Sequence, residues 1–320
     1  MENKKIVLVT GCCGFIGFHV AQTLLLRGDL VVGVDEMNEY YSLEQKEQNL
    51  EDLREFENFV FYKEDICSIN IMREIFDKHS ITHVAHLAAR AGVRASIDDP
   101  ILYVKGNIEA TTVILEMIRE FKCENSVITS SSSVFGECSK VPFNENFQLD
   151  KPISPYAATK KSCELMSYTY HHLYSLNINI VRPFTIYGPR GRPDMAPHIF
   201  MSKISRGDEI VRYGAGDTYR DYTYIDDFVN GFVSALDISL GYEIFNLGNS
   251  SPVSLNEFIS TIENVIERKA IIKEVEMQAG DVTKTYADIS KAHNLLGYSP
   301  STSLRDGMEK MWEWFKKKDN

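Results

Sequence analysis

The chain has 320 residues, 44% of them hydrophobic, and carries a formal net charge of −11. Such an acidic chain repels phosphate groups, which argues against a nucleic-acid binder and against a protein of anionic membrane surfaces. No apolar run approaches the ~18 residues of a membrane span. Residues 1–5 lead directly into an apolar run, so we predict neither a membrane segment nor a signal peptide.

The cysteine and histidine pattern predicts neither a metal site nor a disulfide framework. The six cysteines include no Cys-x-x-Cys spacing. In a chain without an export signal we therefore expect reduced thiols and a cytoplasmic location. His83 and His86 are three apart in a strand-like run, a spacing that places their side chains on opposite faces of the strand.

Strand-like and helical patterns alternate through the first half of the chain. Strands are predicted near residues 6–9, 30–34, 59–62, 83–87, 126–130 and 178–182. Helices are predicted at residues 15–27, 70–79, 100–121 and 155–174. This alternation predicts an α/β fold with a doubly wound parallel sheet of the Rossmann type.

The first strand is followed by a Gly-x-x-Gly-x-x-Gly loop and then by a helix. Glycines in this context let a pyrophosphate approach the helix N-terminus. The residues predicted to hold a dinucleotide here are Gly11, Gly14, Phe15, Ile16 and Gly17. The second strand ends in Asp35, eighteen residues after Gly17, where a carboxylate binds the adenine-ribose hydroxyls. Asp35 and Glu36 would repel a 2′-phosphate, so we predict NAD as the cofactor.

Later loops at the same sheet edge extend this predicted cofactor site. Asp65 and Ile66 follow the third strand, and Asp65 is placed to reach the adenine amine. Leu87, Ala88 and Ala89 follow the fourth strand, and Asn107 lies in the next helical segment. Because the carboxyl ends of parallel strands meet at one edge, we expect these residues to contact the cofactor.

Ser131, Tyr156 and Lys160 form the predicted catalytic set. Tyr156 and Lys160 are four apart, on one face of a predicted helix. A nearby ammonium group favours the phenolate, which is a general base for a sugar or alcohol hydroxyl. Ser131 lies twenty-five positions before Tyr156 and follows an apolar strand. The sequence therefore predicts a hydride-transfer site at this edge.

After about residue 185, prolines, glycines and arginines interrupt the alternation, and shorter elements follow. Helices are predicted near residues 197–206, 226–239, 254–268 and 303–317. Strands are predicted at residues 209–213, 243–246 and 271–275. We predict a cofactor domain at 1–185 and a smaller α/β domain at 186–320, with segments that can interleave. Helices 100–121 and 155–174 are predicted either to pair across a homodimer or to cover the sheet within one subunit.

Further motifs extend over nearly the whole chain. They are Arg-Pro-Phe-Thr-Ile-Tyr-Gly-Pro at 182–189, Arg-Asp-Tyr-Thr-Tyr-Ile-Asp-Asp at 220–227 and Leu-Gly-Tyr-Ser-Pro at 296–300. With them the chain resembles the extended short-chain dehydrogenases/reductases, in the group of nucleotide-sugar epimerases and dehydratases. The resemblance implies a UDP-sugar substrate, bound at 186–320. The substrate-binding residues that it implies are Arg94, Ser132, Ser133, Thr185, Arg192, Arg220 and Asp281.

Two stretches, 89–96 and 191–196, are similar to UDP-glucuronate 4-epimerases. In those enzymes the residues matching Arg192 and Thr185 hold the sugar carboxylate, as suits a guanidinium that pairs a carboxylate with two hydrogen bonds. The resemblance implies interconversion of UDP-glucuronate and UDP-galacturonate through a 4-keto intermediate, with transient hydride transfer to bound NAD. In that reaction Tyr156 takes the 4-hydroxyl proton and Ser131 hydrogen-bonds the reacting oxygen. Lys160 lowers the pKa of Tyr156 and binds the nicotinamide ribose, so Tyr156 and Lys160 are also predicted to contact the cofactor.

Four alternatives remain open on this resemblance. A neutral or N-acetyl UDP-hexose 4-epimerase shares all of these motifs except the residues that bind the sugar carboxylate. A UDP-glucuronate decarboxylase carries a glutamate where Ser133 stands, and a 4,6-dehydratase needs an Asp-Glu pair where Ser132 and Ser133 stand. A non-catalytic NAD-binding protein on the same fold is the fourth, although such proteins usually lose the tyrosine or the lysine.

Four positions depart from the family pattern. Cys12 and Cys13 replace smaller residues in the glycine loop, and we expect their volume to crowd the pyrophosphate. Phe135 stands where tyrosine is usual, and Arg90 stands where glutamine is usual.

Overall fold

The computed structural model of the protein describes residues 4–276 and 283–318. Its strands are β1 (Ile6–Thr10), β2 (Leu30–Val34), β3 (Phe59–Tyr62), β4 (His83–His86), β5 (Asn125–Thr129), β6 (Ile178–Pro183), β7 (Thr185–Tyr187), β8 (Glu209–Tyr213), β9 (Tyr219–Tyr224), β10 (Tyr242–Leu247), β11 (Pro252–Ser254) and β12 (Ile271–Val275). Its α-helices are α1 (Phe15–Arg27), α2 (Leu43–Arg54), α3 (Ile69–His79), α4 (Val93–Asp98), α5 (Pro100–Tyr103), α6 (Ala110–Phe121), α7 (Pro155–Tyr174), α8 (Ala196–Arg206), α9 (Ile225–Asp237), α10 (Leu255–Ile266), α11 (Ser290–Leu296) and α12 (Leu304–Lys318). A π-helical segment, Val104–Glu109, joins α5 to α6, and a 3-10 helix, Ser132–Phe135, follows β5.

Seven parallel strands form the central sheet, in the order β10-β6-β5-β4-β1-β2-β3. In its middle, Val9 of β1 is aligned with Gly33 of β2 and with Ala85 of β4. Successive strands are added toward one edge from β1 to β3 and toward the other edge from β4 onward, so a crevice opens between the carboxyl ends of β1 and β4. The predicted doubly wound parallel sheet is confirmed.

Both faces of the sheet are buried, which explains the continuous apolar runs of the strands. Leu8 packs into the hydrophobic cluster on one face, while its neighbours Val7 and Val9 pack into the cluster on the other. Helices α3 and α6 pack together, as do α1 and α9. Within the described residues, no helix combines the length and the apolarity needed to cross a membrane.

The single helix predicted at 100–121 is wrong in detail, because the structure divides it into three segments. The Asp99 carboxylate caps α5 by accepting the N–H of Leu102 at 3.2 Å. The backbone then widens over Val104–Glu109 before α6 begins. Such π-helical insertions often mark functional sites, and this one turns the polar side chain of Asn107 inward. Hydrophobic spacing alone did not reveal the break.

Residues after 185 contribute both to the central sheet and to smaller structures. Strand β10 pairs in parallel with β6, with Tyr242 opposite Ile178. A three-stranded sheet, β11-β9-β7, and a two-stranded sheet, β12-β8, are separate from the central sheet and do not pair with its strands. The sequence predicted none of the three strands of the β11-β9-β7 sheet, of which β7 and β11 have three residues each and β9 has six. The domain boundary at 185 stays a prediction, and β10 is one segment that crosses it.

Candidate active site

The glycine loop between β1 and α1 packs too closely for side chains at its two ends. A Cβ atom on Gly17 would lie 1.9 Å from the carbonyl oxygen of Gly11. Gly11 has a φ of +71°, and a Cβ there would lie 2.9 Å from Cα of Ala88. The loop backbone therefore packs directly against the residues after β4, and Gly11, Gly14 and Gly17 border the cavity there. Backbone N–H groups at a helix N-terminus suit a phosphate.

Thr10, the last residue of β1, fixes the loop that follows β4. Its Oγ1 accepts hydrogen bonds from the N–H groups of Leu87 and Ala88, each at 3.1 Å. The same hydroxyl hydrogen-bonds Nδ1 of His86 at 2.8 Å, and Nε2 of His86 lies 3.1 Å from Thr111 Oγ1. Burial lowers the pKa of His86 to about 3, so this ring is neutral at pH 7. Across the described ranges, no group of three metal-ligating side chains is close enough to hold an ion.

Asp35 follows β2 and lies beside the glycine loop with its side chain only 8% exposed. Its carboxylate accepts hydrogen bonds from the N–H of Met37 at 2.9 Å and of Cys13 at 3.1 Å. Burial raises the pKa of Asp35, while these bonds and the nearby Lys46 ammonium oppose the rise. A carboxylate thus stands at the end of β2, where the sequence predicted the contact to the adenine ribose.

One cavity gathers nearly all the residues predicted to bind the cofactor. Its lining includes Gly11, Gly14, Phe15, Ile16, Gly17, Asp35, Asp65, Ile66, Leu87, Ala88, Ala89, Tyr156 and Lys160. Asn107 lies behind this lining, where its Oδ1 accepts the N–H of Arg90 at 2.7 Å. Its Nδ2 donates to the carbonyl of Arg90 at 3.0 Å and to Thr159 Oγ1 at 2.9 Å. Asn107 therefore fixes the loop after β4 from behind.

The expectation that Cys12 and Cys13 crowd the pyrophosphate is wrong. Both side chains are fully buried in the hydrophobic cluster behind the loop, with their Sγ atoms 3.8 Å apart. Burial raises the pKa of Cys12 well above its ordinary value, so its thiol is protonated and unreactive at neutral pH.

Tyr156 lies in the first turn of α7, at the cavity wall. Its ring packs edge-on against Tyr103, with the two ring centroids 6.1 Å apart. Burial raises the pKa of Tyr156, whereas a hydrogen bond with Ser131 and the positive charge of Arg192 lower it. The Ser131 hydroxyl also accepts the N–H of Ser133 at 3.1 Å, which orients it. Ser131 therefore lies close to the phenol of Tyr156, although Ser130 rather than Ser131 lines the cavity.

Lys160 lies one turn after Tyr156, but its ammonium group points to the end of β5. Its Nζ donates to the carbonyl of Thr129 at 2.7 Å, and burial lowers the pKa of Lys160. The groups that lower the pKa of Tyr156 are Ser131 and Arg192, not the lysine that the sequence predicted. The helical spacing correctly placed Lys160, but it did not reveal the strand carbonyl that binds its ammonium group.

A buried ion pair connects α7 to the ends of β5 and β6. Arg182 donates from Nε and Nη2 to the two carboxylate oxygens of Glu164, at 2.7 and 2.8 Å, and each side chain is 1% exposed. Ser130 donates to the same carboxylate at 2.6 Å, which fixes the residue before Ser131. The Arg182 guanidinium lies 5.1 Å from the centroid of the Phe135 ring. This network sets the position of Ser131 relative to α7.

Arg192 lies in the loop between β7 and α8 and lines the cavity together with Tyr156. Its guanidinium donates to both oxygens of Asp194, from Nε at 3.0 Å and from Nη2 at 2.5 Å. It also lies over the ring of Tyr40, 5.2 Å from the centroid, and Nη2 donates to the Tyr40 hydroxyl at 3.4 Å. The cavity thus places a cation near the predicted base.

The neighbouring Arg190 anchors this loop to α1 and α2. Its Nη1 donates to Asn49 Oδ1 at 2.6 Å, and its Nη2 pairs with the carboxylate of Asp52. The guanidinium lies 4.2 Å from the centroid of the Phe18 ring, and the Arg190 carbonyl accepts a hydrogen bond from Gln45. Arg190 has a φ of 63°, a strained value for a non-glycine residue. These contacts hold the backbone next to Arg192.

The other residues predicted to bind the substrate lie outside the cavity lining. The described ones are Arg94, Ser132, Ser133, Thr185 and Arg220. Arg94 lies over the ring of Tyr213, 5.5 Å from its centroid, and Arg220 donates to the carbonyl of Tyr219 at 2.9 Å. Asp281 lies outside the described residues. The structure therefore brings Arg192, alone of the described members of this set, to the cavity beside Tyr156.

Several cavity residues had not been singled out from the sequence. From the segment after β2 they are Asn38, Tyr40, Tyr41 and Lys46, and from later segments Lys105, Thr129 and Ser130. Lys46 donates to the carbonyl of Asn38 at 2.7 Å, and Arg90 pairs with Glu36 at 2.8 Å. The sequence did contain a signal for the start of α2, which contributes Lys46: Ser42 is its N-cap, and the Ser42 hydroxyl accepts the N–H of Gln45.

Known proteins resemble this chain over nearly its whole length. The family described as GDP-mannose 4,6 dehydratase matches residues 8–311. The UDP-glucuronate 4-epimerase of Thermodesulfobacterium geofontis is 46% identical over 310 residues, 97% of this chain and 95% of that protein. A solved structure of UDP-glucuronic acid 4-epimerase from Bacillus cereus, in complex with UDP-glucuronic acid and NAD, is 36% identical with a TM-score of 0.91, covering 98% of this chain and 99% of that chain.

A second solved structure has a neutral sugar. UDP-glucose 4-epimerase from Thermotoga maritima, with UDP-glucose, is 30% identical with a TM-score of 0.90, and the match covers 98% of this chain and all of the other, 100%. The chain therefore belongs to the extended short-chain dehydrogenase/reductase family of nucleotide-sugar epimerases and dehydratases, and within it resembles the UDP-glucuronate 4-epimerases.

Proposed function

We propose that this protein is a UDP-glucuronate 4-epimerase, which interconverts UDP-glucuronate and UDP-galacturonate. The observation that carries the proposal is a single cavity that combines the glycine loop, the phenol of Tyr156 and the guanidinium of Arg192. The first two suit a nicotinamide cofactor and a sugar hydroxyl, and the third suits a carboxylate. The Thermodesulfobacterium geofontis and Bacillus cereus relatives, both named for this reaction, support the same substrate.

The residues of the cavity fit NAD as the cofactor. Gly11 and Gly17 leave no room for a Cβ, so bare backbone at the N-terminus of α1 would hold the pyrophosphate. Asp35 would accept hydrogen bonds from the adenine ribose, and its negative charge, with that of Glu36, disfavours the 2′-phosphate of NADP. Lys160 would hold the nicotinamide ribose.

The chemistry begins with proton removal by Tyr156. The phenolate takes the proton of the sugar 4-hydroxyl, and the Ser131 hydroxyl donates to the same oxygen as it becomes a ketone. Bound NAD would supply a reversible acceptor for the hydride that leaves carbon 4 and later returns to its opposite face. Once the 4-keto sugar has turned its other face toward the cofactor, Tyr156 returns the proton and the inverted alcohol forms. No net oxidation occurs.

Arg192 is assigned to the sugar carboxylate on its place in the cavity, and Thr185, which lies outside the lining, on the family resemblance. A 4-keto uronic acid is a β-keto acid, which loses carbon dioxide when its carboxylate bond aligns with the ketone. A guanidinium that binds both carboxylate oxygens restrains this rotation. Ser132 and Ser133, in the 3-10 helix beside Ser131, supply no acid for dehydration. The restraint explains how an enzyme with this intermediate returns an intact uronate.

We also propose that the protein is a cytoplasmic homodimer. Large apolar side chains are exposed on α4, α5, the π-helical segment and α7: Ile97, Ile101, Val104, Leu165 and Tyr168. Pairing with a second copy would cover them. The six cysteines are free thiols, as expected in a reducing compartment. Light scattering should give twice the chain mass for the wild type and a smaller mass for Ile101→Asp; a wild-type monomer would contradict the dimer.

Proton NMR of the purified protein with UDP-glucuronate tests the proposed reaction. We expect UDP-galacturonate to form without added NAD, because the proposed reaction returns the hydride to the sugar and does not consume cofactor that purifies with the protein. Conversion of UDP-glucose or of its N-acetyl analogue, with UDP-glucuronate left unchanged, would favour the neutral-sugar epimerase instead. Formation of a UDP-pentose as the sole product would favour a decarboxylase.

A further inference from the structure

Arg192 and Asp194 form an ion pair within a single loop, and Arg192 borders the cavity. Asp194 follows Arg192 by two positions and binds it through the Nε and Nη2 edge, at 3.0 and 2.5 Å. This is the two-point geometry in which a guanidinium binds any carboxylate. The proposed function requires that Arg192 bind the sugar carboxylate, so a protein carboxylate already occupies the donors that the substrate needs.

The two partners of this ion pair are held differently. The Arg192 side chain is 17% exposed and lies over the Tyr40 ring, while the Arg190 contacts with α1 and α2 fix the backbone beside it. The Asp194 side chain is 45% exposed, just before α8. An incoming anion can therefore displace the aspartate toward solvent while the arginine keeps its place.

We propose that Asp194 is an internal substitute for the substrate carboxylate, which pairs with Arg192 in the open site and is displaced by a UDP-uronate. The inference rests on the proposed function and deepens it by naming a specificity-determining residue. Exchange of one carboxylate for another keeps Arg192 neutralised at every stage. A UDP-hexose has no carboxylate, so it must bind against a closed pair and gains nothing from Arg192.

Removal of the Asp194 charge should therefore affect one class of ligand. In Asp194→Asn, the Arg192 guanidinium has lost its competitor, and UDP-glucuronate should bind about two- to five-fold more tightly, the worth of a partly exposed ion pair. UDP-glucose and UDP should bind as they do to the wild type. The binding constants are measured by titration calorimetry on NAD-loaded protein.

Asp208→Asn is the matched control. Asp208 accepts from Arg206 at 2.9 Å across the same two-residue spacing, but that pair is exposed and outside the cavity lining. It removes one negative charge, as Asp194→Asn does, and should change none of the three constants. In an Arg192→Ala background, Asp194→Asn should lose its effect on UDP-glucuronate.

The outcomes separate this inference from the proposed function. If Asp194→Asn binds UDP-glucuronate no more tightly, or tightens all three ligands equally, Asp194 is no substitute for the substrate, even if the wild type epimerises UDP-glucuronate. If the wild type binds UDP-glucuronate without epimerising it, the proposed function fails, while selective tightening still supports the exchange. If the wild type does not bind UDP-glucuronate, both ideas are overturned.

Discussion

Two regions of the molecule each contain an arginine paired with a carboxylate, and they differ in burial. Arg182 in β6 and Glu164 in α7 are both 1% exposed, and neither of them lines the cavity. In the loop before α8, Arg192 and Asp194 are 17% and 45% exposed, and Arg192 borders the cavity. The same chemistry therefore serves two purposes: the buried pair positions the catalytic groups, and the open pair is available to a ligand.

Loss of the proposed base, Tyr156, which lies next to the buried pair, should have the largest effect on activity. Tyr156→Phe removes the phenol that takes the proton, so we expect kcat to fall by about 10²- to 10⁴-fold. Tyr103→Phe is the control, because its ring contacts Tyr156 while its hydroxyl donates to the Ala91 carbonyl at 3.1 Å. Its kcat should stay within about ten-fold of the wild type, the worth of one neutral hydrogen bond. Equal losses in the two variants would contradict the assignment of the base.

The buried pair itself should matter for stability. Glu164→Gln leaves Arg182 as an uncompensated buried cation, and we expect the free energy of unfolding to fall by about 3–5 kcal/mol in urea titrations. Burial raises the pKa of Glu164, but the Arg182 hydrogen bonds outweigh it and the net pKa is lowered. This contribution is therefore present at neutral pH and is lost as the pH falls through the lowered pKa.

The exposed pair between Arg73 and Glu120, at 2.8 Å, gives the matched control for that prediction. Glu120→Gln should leave the urea midpoint unchanged, because solvent screens both charges. Equal midpoints for Glu164→Gln and Glu120→Gln would show that the pair between β6 and α7 does not hold the catalytic region together.

A variant that frees the loop of Arg190 and Arg192 from α2 should weaken substrate binding and leave the chemical step nearly unchanged. Arg190→Gln loses the ion pair to Asp52 and the contact with Phe18, so the backbone beside Arg192 is held less firmly. We expect KM for UDP-glucuronate to rise by about ten-fold, the worth of one charge-assisted hydrogen bond, with kcat nearly unchanged. Arg206→Gln, an exposed arginine on α8, should leave both constants unaltered. A fall in kcat without a change in KM would contradict an anchoring role.

The smallest expected effect is a displacement of the pH profile. The Ser131 hydrogen bond lowers the pKa of Tyr156. Without it, in Ser131→Ala, that pKa rises, and the ascending limb of kcat/KM against pH should move to higher pH. Ser162→Ala is the control, since that hydroxyl donates to the Ala158 carbonyl on α7. A limb that stays in place in both variants would mean that Ser131 does not tune the base.

The sequence predicted the cofactor side of the cavity well because its signals are local. A strand, a glycine loop and a helix lie within 6–27, and Asp35 follows at the expected distance. Tyr156 and Lys160 are likewise related by helix geometry alone. Their neighbours could not be predicted in this way, because the Lys160 contact with the Thr129 carbonyl depends on how α7 packs against β5.

The opposite side of the cavity was harder to predict because it is assembled from distant segments. Helix α2 is rich in charged residues, so its hydrophobic spacing is weak, and the contact of Arg192 with Tyr40 spans 152 positions. The resemblance to known enzymes identified Arg192, but neither its pairing with Asp194 nor its anchoring through Arg190 had a signal in the sequence.

The central claim is that Arg192 selects the uronate while Tyr156 and its neighbours perform the chemistry. It is tested most directly by kcat/KM for UDP-glucuronate and for UDP-glucose in the wild type and in Arg192→Ala, with the products identified by proton NMR. We expect the variant to lose its preference for UDP-glucuronate and to release a decarboxylated 4-keto pentose from it, while kcat/KM for UDP-glucose falls less, only through the lost effect of the Arg192 charge on the pKa of Tyr156. Equal losses toward both sugars, with no decarboxylated product, would contradict the claim.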